Sequence, residues 1–247
     1  MARKKVNKKN KGKVIGIISC KSGVGKSLVS INVVKQLLNL VEKRPLLVDM
    51  SKPFGGSHGF LPEYDVSWAT IMPLLTSKVD NKKLATVISD TDLGFDYLAS
   101  PTEMGVQKLS KKQFQVLIDS LREYTDIIVL DMPSISSKED IEKIDTLDEI
   151  VCLVTPEPSV LFSTKKIYSQ NDISSKKWKY VLNRLDREGS PRLKEQIEKK
   201  LRLSFVSSIE DDPDAVWKHY FSSSLITRED LVLTQDFKDL AEILVNK

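Results

Sequence analysis

Apolar, β-branched runs of strand length alternate with segments of helical period from Val14 to the end of the chain. The pattern predicts strands over Lys13–Ser19, Pro45–Asp49, Gly94–Leu98, Asp126–Asp131, Glu149–Thr155, Trp178–Asn183 and Arg202–Val206. Helices are predicted between and beyond them, over Lys26–Leu40, Ser67–Leu75, Lys82–Ser89, Lys111–Tyr124, Lys138–Thr146, Ser159–Tyr168, Pro191–Lys199, Ala215–Tyr220 and Asp236–Asn246. Runs such as Ile127–Leu130 and Ile150–Val154 are apolar at every position, the mark of strands covered on both faces. The expected architecture is therefore α/β: a mostly parallel, twisted sheet of about seven strands with helices on both faces. Ser51–Asp92 carries no clear strand and is expected to form loops and short helices at one sheet edge.

Composition narrows the class. At 247 residues, 40% hydrophobic and 29% charged, the chain is long enough for one sizeable core and is read as a single domain. No apolar run approaches the roughly 20 residues that cross a bilayer, and the apolar stretch behind the basic start is too short for a signal peptide, so a cytoplasmic protein is expected. Cys20 and Cys152 lie in different predicted elements and form no CxxC pair, which argues against a disulfide scaffold, zinc or an iron–sulfur cluster. The net charge of +4 comes from the start of the chain, where Arg3, Lys4, Lys5, Lys8, Lys9, Lys11 and Lys13 stand without an acid. Removing these seven leaves 31 basic against 34 acidic residues. Residues 1–13 are accordingly expected to form a basic disordered tail, able to touch nucleic acid or an anionic membrane surface, ahead of a domain over 14–247.

The chemistry-bearing motif follows the first strand: Cys20-Lys21-Ser22-Gly23-Val24-Gly25-Lys26-Ser27-Leu28, opening a helix. A triphosphate needs several backbone N–H groups at close range, which small residues permit, and gains from the positive end of the helix. Ser22, Gly23 and Gly25 are small, Lys26 can reach the β- and γ-phosphates, and the Ser27 hydroxyl can complete a magnesium site. Cys20 stands where the strict phosphate-loop pattern has glycine. Asp49 and Asp131 end predicted parallel strands, at the edge where such sheets bind ligands, and suit a magnesium site together with Ser27.

The stretch Lys21-Ser22-Gly23-Val24-Gly25-Lys26-Ser27 resembles the deviant Walker A motif of the ParA/MinD family of dimeric P-loop ATPases, with Ser22 in place of a glycine. Leu46-Leu47-Val48-Asp49-Met50-Ser51 is similar to that family's switch motif, Ile127–Pro133 to its Walker B strand, and Val181-Leu182-Asn183-Arg184 to its base-binding strand end. The resemblance implies ATP and Mg2+ as cofactors and a homodimer formed on ATP binding. It makes Lys21 the lysine that crosses the dimer interface to the partner's nucleotide, and Asn183 the adenine reader with Arg184 beside it. Ser22, Gly23, Val24, Gly25, Lys26, Ser27 and Leu28 would cradle the phosphates, and Ser27, Asp49 and Asp131 would hold the metal. The Ile209–Pro213 segment is similar to the family loop near the base. One departure matters: the second aspartate of the switch motif, which positions the attacking water, is Ser51 here. A hydroxyl can orient water but cannot take its proton at neutral pH, so slow hydrolysis is expected.

Asp49–Gly56 and Tyr97-Leu98-Ala99-Ser100-Pro101 are similar to motifs of the CpaE/TadZ branch. That likeness implies a localisation or assembly switch for Flp/type IV-type pilus or secretion machinery, peripheral at the inner membrane or cell pole and working with a protein partner. Two alternatives stay open. A ParA-type segregation ATPase would bind DNA non-specifically through Lys165, Lys166, Lys176, Lys177, Lys179, Arg184 and Arg187. A MinD-like positioning ATPase would use an amphipathic terminal helix on the membrane. The last segment does align Phe237, Leu240, Ala241 and Leu244, but with Asp236, Asp239 and Glu242 opposite, which favours packing onto the sheet.

Overall fold

The computed structural model describes residues 11–51, 55–170, 177–186, 190–222 and 231–246. Eight strands form one sheet: β1 (Lys13–Ser19), β2 (Leu46–Asp49), β3 (Ser89–Asp90), β4 (Asp96–Leu98), β5 (Ile127–Asp131), β6 (Glu149–Val154), β7 (Trp178–Leu185) and β8 (Phe205–Glu210). Their order is β3-β4-β2-β5-β1-β6-β7-β8, parallel throughout except for β3 on β4. The α-helices are α1 (Lys26–Leu37), α2 (Trp68–Ile71), α3 (Asn81–Leu84), α4 (Lys111–Tyr124), α5 (Lys138–Ile144), α6 (Pro158–Gln170), α7 (Ser190–Leu201), α8 (Pro213–Ser222) and α9 (Leu231–Val245).

The expected doubly covered parallel sheet is present. All five residues of β5 and all six of β6 are buried, which requires cover on both faces. Ile15, Ile17, Ile128, Val129, Val151 and Leu153 have no exposed surface. Each such side chain contributes about 1.5–3 kcal/mol of hydrophobic stabilisation before chain entropy is subtracted. In α9, Phe237, Leu240, Ala241 and Leu244 are fully buried, and the helix packs against α1 and β8, as its acidic outer face implied.

The differences from the sequence reading have local causes. The sheet has eight strands because β3 adds two residues, too few to show a period. It lies within the Ser51–Asp92 segment, which otherwise forms α2, α3 and two 3-10 turns, so the predicted helix at 82–89 stops at Leu84. The last strand begins at Phe205 rather than Arg202, because Arg202 adopts φ 59° and its amide still bonds the Glu198 carbonyl of α7. Gly12 and Lys13 belong to the body: the Gly12 amide donates to the Arg122 carbonyl at 2.9 Å, and Lys13 opens β1. Residues 1–10 of the basic tail lie outside the described residues. Among the described residues no helix is long and apolar enough to cross a membrane.

Chain direction places the site. All parallel strands end on one edge, and β1 stands between β5 and β6, where the strand order reverses. The crevice beyond β1 is where open α/β sheets bind ligands. Helices elsewhere close their first turns with side-chain caps: Ser110 and Ser137 form capping boxes on α4 and α5, and Ser67 and Asp80 cap α2 and α3. Helix α1 follows Gly25 with no side-chain cap, so its first amides lack that partner.

Candidate nucleotide site

The loop from Cys20 to Gly25 turns on two glycines in the left-handed region, Gly23 at φ 82° and Gly25 at φ 91°. Gly25 is also sterically required, since a Cβ there would come within 2.7 Å of Asn183 Nδ2. Asn183 is buried at the end of β7 and donates from Nδ2 to the Val24 carbonyl at 2.8 Å, tying that strand to the loop. Arg184 beside it has φ 55°, an outlier for a non-glycine residue, and its exposed guanidinium lies 3.7 Å from Glu157. Lys21, Ser22 and Gly23 are exposed, whereas Val24 is buried and Leu28 lies in the first turn of α1. Cys20 stands at the usual glycine position, its thiol beside Cys152 of β6 and Thr164 of α6; both cysteines are free and buried.

Lys26 crosses the mouth of β1. Its Nζ donates to Ser19 Oγ and to Ser134 Oγ, both at 3.2 Å, and Ser19 Oγ in turn donates to the Lys21 carbonyl at 2.6 Å. Burial holds the lysine below its ordinary pKa, opposed by the charge of Asp131. These hydroxyls hold the ammonium in a part-buried position from which a phosphate can recruit it.

Asp49 and Asp131 are in register across β2 and β5. Both are fully buried, and they differ in what surrounds them. Asp49 accepts backbone amides on each oxygen, Ser51 N–H at Oδ1 and Ser57 N–H at Oδ2, both at 2.9 Å. Burial raises its pKa nevertheless, and those amides oppose the rise. Asp131 has no hydrogen-bond partner on either oxygen among the described residues. Burial first, and the nearby Asp49 charge second, push its carboxyl up to about 7, while the Ser27 hydroxyl and Lys26 pull it down. A buried carboxylate with unused lone pairs beside a serine hydroxyl is a hard-oxygen donor set, and it fits a magnesium ion.

The loop after β2 closes over this donor set. A Cβ on Gly56 would stand 1.9 Å from Ser27 Oγ and 3.0 Å from Asp131 Oδ2, and one on Gly55 would stand 2.7 Å from Asp49 Oδ2. Only glycines let the backbone lie so close. Ser51 sits at the root of this loop; its amide holds Asp49, and its carbonyl accepts the Ser100 hydroxyl. Lys52, Pro53 and Phe54 of the switch-like segment lie outside the described residues. The Trp68 indole adds a donor to the Asp49 carbonyl at 3.0 Å.

The structure thus brings Lys26, Ser27, Asp49, Asp131 and Asn183 to one sheet edge, with Ser51 beside them and Lys21 exposed at the rim. Sequence reading did not single out Ser19, Ser134, Gly55, Gly56 or Trp68. Ser134, three residues past Asp131, was accessible to a reading of the β5 strand end.

Among solved structures the fold is that of the ParA/MinD P-loop ATPases. A ParA family ATPase from Chlorobium tepidum TLS superposes with a TM-score of 0.82 at 22% identity, covering 94% of this chain and 98% of that one. A chain of the Aquifex aeolicus MinC:MinD cell division protein complex gives 0.78 at 20%, covering 96% of each chain. The septum site-determining protein MinD of Pyrococcus horikoshii OT3, complexed with Mg-ADP, gives 0.75 at 20%, covering 95% of this chain and 96% of that one. No protein-family model matches the sequence, and no curated protein matches it. Identities this low establish the shared fold and leave the activity to be argued from the site.

Proposed function

We propose that the protein binds ATP with magnesium, closes into a homodimer when ATP is bound, hydrolyses it slowly, and acts as a localisation or assembly switch. The observation that carries the reading is the donor set at the uncapped start of α1: Lys26 held by two hydroxyls, Ser27, and a buried Asp131 with both oxygens unpartnered. Gly23, Gly25 and the first amides of α1 bind phosphate oxygens, Lys26 moves from Ser19 and Ser134 to the β- and γ-phosphates, and Ser27 and Asp131 hold the metal. Magnesium, when bound, neutralises phosphate charge. Asp49, its oxygens occupied by amides, supports the site electrostatically and anchors the loop after β2. Lys21, exposed and free of any ion pair among the described residues, would be the residue that reaches a second subunit's nucleotide in such a dimer.

The Mg-ADP complex of the Pyrococcus neighbour and the MinC:MinD complex that holds the Aquifex neighbour support nucleotide use and a protein partner for this chain as well. The pilus or secretion assignment rests on the Asp49–Gly56 and Tyr97–Pro101 motifs. The DNA-binding alternative draws less support: Lys179 pairs with Glu149 at 2.9 Å, Lys177 with Asp145 and Arg184 with Glu157, which leaves Lys165 and Lys166 on α6. Lys176 and Arg187 lie outside the described residues. A MinD-like membrane helix would need the face of α9 that the fold buries.

Light scattering with and without ATP tests the switch. The parent should double in mass with ATP and magnesium, and Lys21→Ala should remain monomeric. A Lys21→Ala protein that dimerises as the parent does would remove Lys21 from this role, and a parent that stays monomeric would overturn the dimer reading.

A further inference from the structure

Met50 and Met132, the residues that follow Asp49 and Asp131, line a cavity of about 130 Å3. Trp68 of α2, Leu109, Phe114 of α4 and Ile144 of α5 complete its apolar wall, and all six residues are at least nine-tenths buried. Lys108 and Pro133 are exposed and Asp140 half-buried, which puts the mouth on their side. The inner wall is tied to the sheet. Met50 N–H donates to the Asp131 carbonyl at 2.9 Å, Met132 N–H to the Ile17 carbonyl at 3.1 Å, and the Trp68 indole to the Asp49 carbonyl at 3.0 Å.

An apolar cavity of about 150 Å3 holds one benzene ring, so this one has the size for a single six-membered ring with a small substituent toward the mouth. Two methionines in the wall adapt to the shape of such a ring and offer sulfur contacts to an aromatic one. One wall residue is charged. Lys143 of α5 is buried, its Nζ donating to the Leu109 carbonyl at 2.7 Å and pairing with Glu139 at 2.8 Å. An ammonium has three N–H groups, so one is left over among the described residues. A buried donor left over in an apolar wall calls for an acceptor. Lys108 brings a second ammonium to the mouth and makes no ion pair among the described residues. Asp140, the carboxylate of the lining, has its Oδ2 occupied by the Ser136 and Ser137 amides, each at 2.9 Å, and by the Ser136 hydroxyl. Its charge is spent on the start of α5, and two ammonium groups stand against it around the cavity.

We propose that this cavity binds a small ring-bearing monocarboxylate, with the ring among Met50, Trp68, Phe114 and Met132 and the carboxylate on the remaining Lys143 N–H and the Lys108 ammonium. The volume sets the ring, and the two lysines set the charge. A carboxylate suits one buried N–H and one exposed ammonium better than a phosphate dianion, whose greater charge costs more to bury. The site is distinct from the phosphate loop and stands whether or not the nucleotide reading does.

The test is nuclear magnetic resonance of the full-length protein carrying isotope-labelled methionine methyl groups, titrated with benzoate as the probe. The Met50 and Met132 signals should shift saturably, while those of Met72 and Met104, which do not line the cavity, should stay in place. Benzyl alcohol, the same ring without the charge, should move the same two signals but bind roughly 10-fold more weakly. Lys108→Glu, a change at an exposed residue, should weaken benzoate to about the level of the alcohol and leave the alcohol's own binding unchanged. Lys143→Met should do the same, and retained binding of the alcohol shows that the cavity is intact in either variant. Equal affinity for the two probes, or benzoate binding indifferent to Lys108→Glu, would overturn the carboxylate assignment. Shifts no larger at Met50 and Met132 than at Met72 and Met104 with both probes would overturn the site.

Discussion

Replacing Asp131 by asparagine should make the nucleotide-free protein more stable while depriving it of its metal ligand. Burial and the neighbouring Asp49 push the Asp131 carboxyl up to about 7, from an ordinary 3.8. Between about pH 4 and pH 7 the folded protein holds a proton that the unfolded chain has released, so stability falls as pH rises through that window and the full penalty applies above it. A shift of about three units corresponds to at most about 4 kcal/mol, at about 1.4 kcal/mol per unit. Asp49 stays in place in the variant, so one substitution recovers only part of that upper bound. For a domain of this size each kcal/mol recovered is roughly 2–4 °C in Tm. The assay is thermal melting of the parent and Asp131→Asn, without nucleotide or magnesium, from pH 5 to pH 8. The variant should melt higher at pH 8, and the gap should narrow toward pH 5. Mg-ATP should raise the parent's Tm by mass action, about 2.7 kcal/mol at a hundredfold excess over Kd, and raise the variant's less. A variant that melts at or below the parent at pH 8, or a gap independent of pH, would refute the claim that an uncompensated buried carboxylate is maintained here for a cation.

Ser51→Asp should restore a carboxylate at the root of the loop after β2 and raise phosphate release by roughly 10²–10³ with little change in ATP affinity; brisk hydrolysis by the parent, unaffected by the substitution, would show that another group positions the water. Gly56→Ala drives a methyl into Ser27 Oγ and should cost about 1–3 kcal/mol in a denaturant melt; an unchanged midpoint would mean the loop does not rest on the magnesium donors. Asn183→Ala removes a buried donor from the Val24 carbonyl and should destabilise by about 1–3 kcal/mol, with faster amide exchange across Lys21–Lys26; unchanged exchange there would separate β7 from the loop.

How much of this was legible in the sequence follows from the length scale of each signal. Lys26 and Ser27 are fixed by spacing within one loop, and Asp49 and Asp131 by their places at the ends of fully apolar strands, so a linear reading reaches them. The contact between Asn183 and Val24 spans 159 residues and depends on β7 lying two strands from β1, which no local pattern encodes. The contact of Ser134 with Lys26 likewise spans 108 residues, although Ser134 itself stands close behind Asp131 at the end of β5, and the nearness of the Cys20 thiol to Cys152 has no local signal either. Strand β3 escapes notice because two residues carry no period, and the late start of β8 because a left-handed Arg202 prolongs the turn after α7. The different environments of Asp49 and Asp131 arise from the loop after β2, whose backbone amides reach one carboxylate and leave the other unpaired.

The most direct test of the central claim is calorimetric titration of Mg-ATP into the parent and into Lys26→Ala. The account predicts saturable binding by the parent, about one nucleotide per chain, and loss of most of that affinity when the charge-assisted phosphate contact is removed. Equal affinity in the two proteins would contradict it, because the lysine held between Ser19 and Ser134 would then have no phosphate to meet.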